Sequence, residues 1–131
     1  MNKCIIKGAA IACLLAVSFS AYAGDPAPKG WLMIRGGAAT TDANYGNEDS
    51  DDNGKLQSVS VLCAQLSESP ANIQQLIATD STRNWGATRG IASTTTAINL
   101  GGNVVKDPLK GNPNHCLING LKASQIKGIW H

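Results

Sequence analysis

LQSVSVLCAQLSESPANIQQLIAT, residues 56–79, carries two periodicities in one stretch. From Leu56 to Leu66, Val59, Val61 and Cys63 alternate with Ser58, Ser60 and Leu62. A period of two sends one set to a buried strand face and the other set to the opposite face. Ser69-Pro70 ends the alternation. The Ser69 hydroxyl oxygen suits the free N–H groups of a first helical turn, and Pro70 suits the first helical position because it has no N–H to leave unpaired. Ile73, Leu76 and Ile77 then fall on one face at helical spacing. A half-buried strand running into a capped amphipathic helix predicts an α+β domain.

The flanks extend this pattern. Gly24 to Gly30, with Pro26 and Pro28, is a leader into Trp31-Leu32-Met33-Ile34, a strand stopped by Arg35-Gly36-Gly37. Ala38 to Gly54 is rich in Asn, Asp and Gly and reads as a loop. Past the helix, Asp80 to Gly86 is a loop carrying Trp85. Ile91 to Leu100, rich in Thr, Ile and Ala, reads as a strand that Gly101-Gly102 stops. Val104-Val105 adds a short strand, Asp107 to Pro113 a loop, and Cys116-Leu117-Ile118 a further short strand or turn. Ser124 to Trp130 forms a last helical turn. The expectation is a small single domain with a short antiparallel sheet, one main helix near 70–79, and one disulfide.

The first residues predict export. Met1 to Lys7 holds two lysines and no acid, Gly8 to Ser20 is uncharged and apolar, and Ala21-Tyr22-Ala23 ends in small residues. This is the order of a cleavable signal peptide. The apolar run is shorter than the roughly 20 residues that span a bilayer. Residues 1–23 are therefore read as a signal peptide and 24–131 as a single exported domain. The destination is the periplasm or the medium.

Export frames the cysteines and the charge. Cys4 and Cys13 leave with the signal peptide, so Cys63 and Cys116 remain as an even pair in an oxidising compartment, and a disulfide between them is expected. Lys3 and Lys7 carry the whole net charge of +2. The neutral remainder offers no basic footprint for nucleic acid. Its charges are segregated. The acids lie before Arg83 except Asp107, and most bases lie after it, which favours packing of the two halves.

Few residues suggest chemistry. Asp49-Ser50-Asp51-Asp52-Asn53-Gly54 matches the first half of a calcium loop, with Asp49, Asp51 and Asn53 as oxygen ligands. Ser60 stands where such a loop needs a bidentate Glu, and a strand follows where a helix belongs. The competing reading is a solvated acidic turn. Apart from this calcium candidate no cofactor is expected. Trp85, in Asn84-Trp85-Gly86, is a candidate partner contact, with buried packing as the alternative. A Cys-His nucleophile needs a free thiolate, and pairing of Cys63 with Cys116 removes it. His115 then reads as a surface residue beside a disulfide. No catalytic residue is assigned.

Gly30-Trp31-Leu32-Met33-Ile34-Arg35-Gly36-Gly37-Ala38-Ala39, followed by Ser50-Asp51-Asp52-Asn53-Gly54, resembles the start of the OmpW family. These are eight-stranded outer-membrane barrels that pass small hydrophobic molecules. Asn72-Ile73 with Leu76-Ile77-Ala78-Thr79 is similar to that family's second hairpin. The resemblance covers residues 24–80 and implies membrane-spanning strands in the outer membrane. Eight strands of about nine to eleven residues plus turns exceed what residues 24–131 can supply. Aromatics are 5% of the chain, too few for two interfacial girdles.

The functional expectation is a non-catalytic binding or accessory protein of the bacterial cell envelope or extracellular space. It would act by contact with another envelope or extracellular protein. The alternatives are a truncated OmpW-like outer-membrane component, the one reading that brings membrane association, and a small secreted thiol or hydrolytic enzyme.

Overall fold

A computed structural model describes residues 24–131, so the signal-peptide reading of 1–23 lies outside the described residues. The strands are β1 (Leu32–Gly36), β2 (Asp49–Ser50), β3 (Lys55–Gln57), β4 (Val59–Ala64), β5 (Arg89–Ser93), β6 (Asn103–Lys106), β7 (His115–Asn119) and β8 (Leu121–Lys122). The helices are α1 (Pro70–Ala78), α2 (Thr94–Asn99) and α3 (Ala123–Ile126), with 3-10 turns at Asp42–Tyr45 and Lys127–Ile129. The class is α+β. One open antiparallel sheet has the order β5-β1-β4-β7-β6, and a small second sheet has the order β2-β3-β8.

The period-two pattern sorts side chains between two cores, one on each face of the large sheet. Met33, Val59, Val61, Cys63, Cys116, Ile118 and Val104 face the larger core with Tyr45, Ala97, Ile126 and Trp130. Leu32, Ile34, Leu62 and Ile91 face the smaller one, covered by Leu76 with Ile73, Ile77 and Trp85 at its edge. Helix α1 forms as its sequence predicts: the Ser69 hydroxyl accepts the Asn72 N–H at 3.1 Å, and Pro70 follows as the first helical residue. Cys63 and Cys116 are bonded between the adjacent strands β4 and β7, within the larger core.

Chain pairs with both edges of the large sheet, over several residues at β6 and at one residue of β5. Beside β6, Gly24 N–H donates to Lys106 O, Ala27 N–H donates to Val104 O, and Lys106 N–H donates to Asp25 O. Beside β5, Ile91 and His131 exchange backbone hydrogen bonds at 3.0 Å each. Pairing at these positions shortens the free ladder that another chain could extend. Among the described residues two acid–base pairs cross between the charge-segregated halves, Lys127 with Asp42 and His131 with Glu68.

Three local expectations need correction. Ile91 to Leu100 is not one strand: β5 ends at Ser93 and α2 begins at Thr94. The Ser93 hydroxyl caps the Thr95 N–H. The fully buried Thr94 hydroxyl donates to Pro28 O at 2.7 Å and accepts the Trp31 N–H at 3.0 Å. These long-range partners outweigh the modest strand preference of threonine. The stretch from Leu56 is likewise divided at Ser58, whose φ of 60° turns the chain from the small sheet into the large one. Its N–H donates to Asn119 Oδ1 at 2.6 Å. The loop before it contains a 3-10 turn and β2, and it buries Tyr45, whose hydroxyl donates to Ala39 O. Burial raises the Tyr45 pKa against the opposing pull of Arg35.

Candidate functional site

The α1-covered face of the sheet is only partly roofed. Beyond Trp85 a cleft of about 310 Å³ opens over the sheet floor. Gly36, Ser60 and Leu62 line its floor, Asp80, Thr82, Arg83 and Trp85 form one wall, and Leu109, Asn112 and His115 form the other. The strand register explains the convergence. Leu62 stands opposite both Ile34 and His115, and Ser60 lies two residues before it on the same face.

Each wall is a loop held by its own polar groups. Asp80, 7% exposed, ends the α1 segment. Its Oδ1 accepts the Thr82 N–H at 2.9 Å and also the Thr82 hydroxyl, while its Oδ2 accepts the Trp85 indole N–H at 3.0 Å. Burial alone raises the pKa of this carboxyl. The Thr82 and Trp85 hydrogen bonds and the nearby Arg83 charge outweigh burial and hold it below the usual carboxylate value. The two walls are tied together, because the Ser81 N–H and hydroxyl both donate to Gly111 O. The opposite wall is closed by backbone bonds exchanged between Leu109 and Asn112.

Arg83 lies across the Trp85 ring, 4.5 Å from its centroid. Its guanidinium also rests on Gly36, where a Cβ would sit 2.6–2.8 Å from the guanidinium atoms. Gly36 therefore leaves space for the guanidinium at the cleft floor. His115 faces Asp107, with Nδ1 3.0 Å from Asp107 Oδ2 and 3.1 Å from Asp107 O. Two acceptors at Nδ1 place the proton there in the neutral ring and leave Nε2 as an acceptor. His115 is thus a half-buried cleft residue held by a carboxylate, which corrects its reading as a surface residue.

The predicted site residues do not converge. Cys63 and Cys116 are buried in the core as a disulfide. Asp49, Asp51 and Asn53 lie in the β2–β3 hairpin, where Asp51 Oδ1 accepts the N–H groups of Asn53 and Lys55 at 2.9 Å each. Among the described residues no three His, Cys, Asp or Glu side chains gather as cation ligands would. Trp85 alone reaches the cleft, partly buried at the edge of the smaller core. Ser60, Asp80, Arg83, Asp107 and Asn112 carry no site assignment from the sequence. The Asp80-Ser81-Thr82 turn signal marks a loop, but nothing local places it against residues 107–115.

No family model matches this chain, and no curated protein or solved structure does so.

Proposed function

We propose that this chain is an exported, non-catalytic binding protein of the bacterial cell envelope or extracellular space. In this reading it holds another envelope or extracellular protein at the cleft between residues 80–86 and 107–113. The observation that carries the reading is the locked pair of walls. Asp80 stiffens one loop, Ser81 ties it to Gly111, and Trp85, Arg83 and the 48%-exposed Leu109 stand at the opening. A rim ordered before binding spares the entropy cost of ordering it during binding. Aromatic and arginine side chains are those that most often anchor interfaces. The disulfide suits an oxidising compartment.

A second reading, a small hydrolase, is favoured by the His115–Asp107 pair, which shares the cleft with the Ser60 hydroxyl. Such a base needs hydrogen-bond reach to its nucleophile, and no hydrogen bond joins Ser60 to His115. The thiol route has no free cysteine among the described residues to use.

The test is expression of the full chain in a bacterium, followed by fractionation and by mass measurement under non-reducing conditions. A photo-crosslinking residue is placed at Leu109, or at the exposed Leu100 as a control. The binding reading expects export, a mass reflecting loss of the signal and of two hydrogens, and a discrete protein crosslinked from 109 but not from 100. Cytoplasmic retention, or release from the outer membrane only by detergent, overturns it. Covalent labelling of Ser60 by a fluorophosphonate, with ester hydrolysis lost in Ser60→Ala, establishes the hydrolase instead.

A further inference from the structure

We infer that Asn53 is a self-modifying residue: its side-chain amide is lost to water through a cyclic imide with Gly54, and the isoaspartate that results undoes the β2–β3 turn. Neither residue lines the cleft, so the inference stands apart from the binding reading. The reaction needs an asparagine whose side chain can reach the next backbone nitrogen, and glycine, without a Cβ, obstructs that approach least. The chain has two Asn-Gly pairs, Asn53-Gly54 and Asn119-Gly120. The pairs are alike in sequence, and the fold separates them. Asn119 is held at both ends of its amide: Oδ1 accepts the Ser58 N–H at 2.6 Å, and Nδ2 donates to Asn103 Oδ1 at 3.2 Å. Turning its Cγ toward the Gly120 nitrogen breaks both bonds. Asn53 is exposed at the hairpin tip, and among the described residues no hydrogen bond holds its side chain. Nothing lies within 4 Å of the place a Gly54 Cβ would take. The Gly54 N–H donates to Asp51 O at 3.0 Å, and this bond must open before the nitrogen attacks. Residues 51–55 are all exposed, and such tips open locally without unfolding the domain.

The chemistry uses only water and a solvent base. The base takes the Gly54 N–H proton, and the nitrogen forms a bond to Asn53 Cγ. The Cγ–Nδ2 bond breaks, and Nδ2 takes up a proton and leaves as ammonia. Water then opens the five-membered imide at one of its two carbonyls. Opening at Cγ gives aspartate on an unchanged backbone. Opening at the main-chain carbonyl gives isoaspartate, whose backbone runs through Cβ and Cγ and is one carbon longer. That carbon enters a ring closed by three hydrogen bonds: Gly54 N–H to Asp51 O, Lys55 N–H to Asp51 Oδ1 at 2.9 Å, and Asp51 N–H to Lys55 O at 2.9 Å. The longer link displaces the Gly54 and Lys55 N–H groups from Asp51. The new carboxylate also joins Asp49, Asp51 and Asp52 in one short hairpin, and like charges repel. Strand β3 stays in place, because Lys55 and Leu56 pair with Lys122 and Leu121 on its other side and Leu56 is buried. The change is therefore confined to the tip and β2.

The experiment ages the oxidised protein in mildly alkaline buffer, folded and in denaturing guanidinium chloride. Samples are digested, the peptides are weighed, and isoaspartate is detected by its enzymatic methylation. In the folded protein the Asn53 peptide should exchange the mass of an amino group for that of a hydroxyl at least about tenfold faster than the Asn119 peptide, because Asn119 must first give up two hydrogen bonds. In denaturant the two rates should converge. Isoaspartate should appear at residue 53 and be absent there in Asn53→Gln aged in parallel. Amide hydrogen exchange at Gly54 and Lys55 should quicken by about tenfold or more in the isoaspartate fraction, while Val61 and Ile118 in the large sheet exchange as before. Asn53→Gln, aged alongside, should keep the exchange rates it had before ageing. Equal rates at the two sites in the folded protein, no isoaspartate at residue 53, or a bias that persists in denaturant overturns the assignment of the site to the fold. Unchanged exchange at Gly54 and Lys55 in the isoaspartate fraction overturns the opening of the turn.

Discussion

Reduction of Cys63–Cys116 is expected to cost about 4 kcal/mol of stability. The bonded residues are 53 apart in sequence. In the chain-entropy model a loop of that size loses about 14 cal/mol/K in the unfolded state, hence about 4 kcal/mol at 25 °C. The native state changes little, because β4 and β7 remain paired by backbone hydrogen bonds and both sulfurs remain in the core. Reduced parent protein is the cleanest perturbation, since it keeps the sulfur volume that Cys63→Ala with Cys116→Ala would remove. The assay is urea unfolding with and without reductant, read by the fluorescence of Trp31, Trp85 and Trp130. With a slope of about 2 kcal/mol/M the midpoint should fall by about 2 M. The oxidised protein should also show the smaller slope, because its unfolded chain stays more compact. A loss under about 1 kcal/mol with unchanged slope would refute the argument. It would mean that the unfolded chain holds these two residues together without the bond.

The same titration apparatus tests Asp80. Its pKa is lowered in the folded state, so its ionised form adds stability that is present above the unfolded carboxyl pKa and lost as pH falls through the lower folded value. Asp80→Asn should cost about 1–3 kcal/mol at pH 7 and flatten the fall in urea midpoint below about pH 4; a fall as steep as the parent's refutes the assignment. At Ser58, with φ of 60°, Ser58→Gly should leave thermal stability unchanged or raise it by up to about 1 kcal/mol, while Ser58→Val should lower it. Gly90→Ala places a Cβ 2.7 Å from Ala39 Cβ and 2.8 Å from Trp130 Cβ. It should destabilise by about 1–3 kcal/mol and weaken the near-ultraviolet signal of Trp130; a neutral result means that the residue 130–131 edge yields freely.

Features written within a few residues of one another were legible in the chain. The alternation through Val59, Val61 and Cys63, the Ser69-Pro70 start and the Ile73-Leu76-Ile77 stripe each need only neighbours along the chain to express their preference. The α+β class followed from them. The disulfide followed from counting, because two cysteines left after removal of the predicted signal peptide have one pairing. Thr94 marks the boundary of this kind of reading. Its local preference favours a strand, but its hydroxyl is bonded to Pro28 and Trp31, more than sixty residues away, and the chain turns into α2 instead. Apart from Trp85, the cleft lies beyond that boundary. Gly36, Ser60, Arg83 and Asn112 come from separate segments that meet because β1, β4 and β7 are neighbours in register and Ser81 is tied to Gly111. Secondary structure is a sum of short-range preferences that the sequence states directly. A site depends on which distant groups share a surface, and only the free energy of the whole packed sheet selects that.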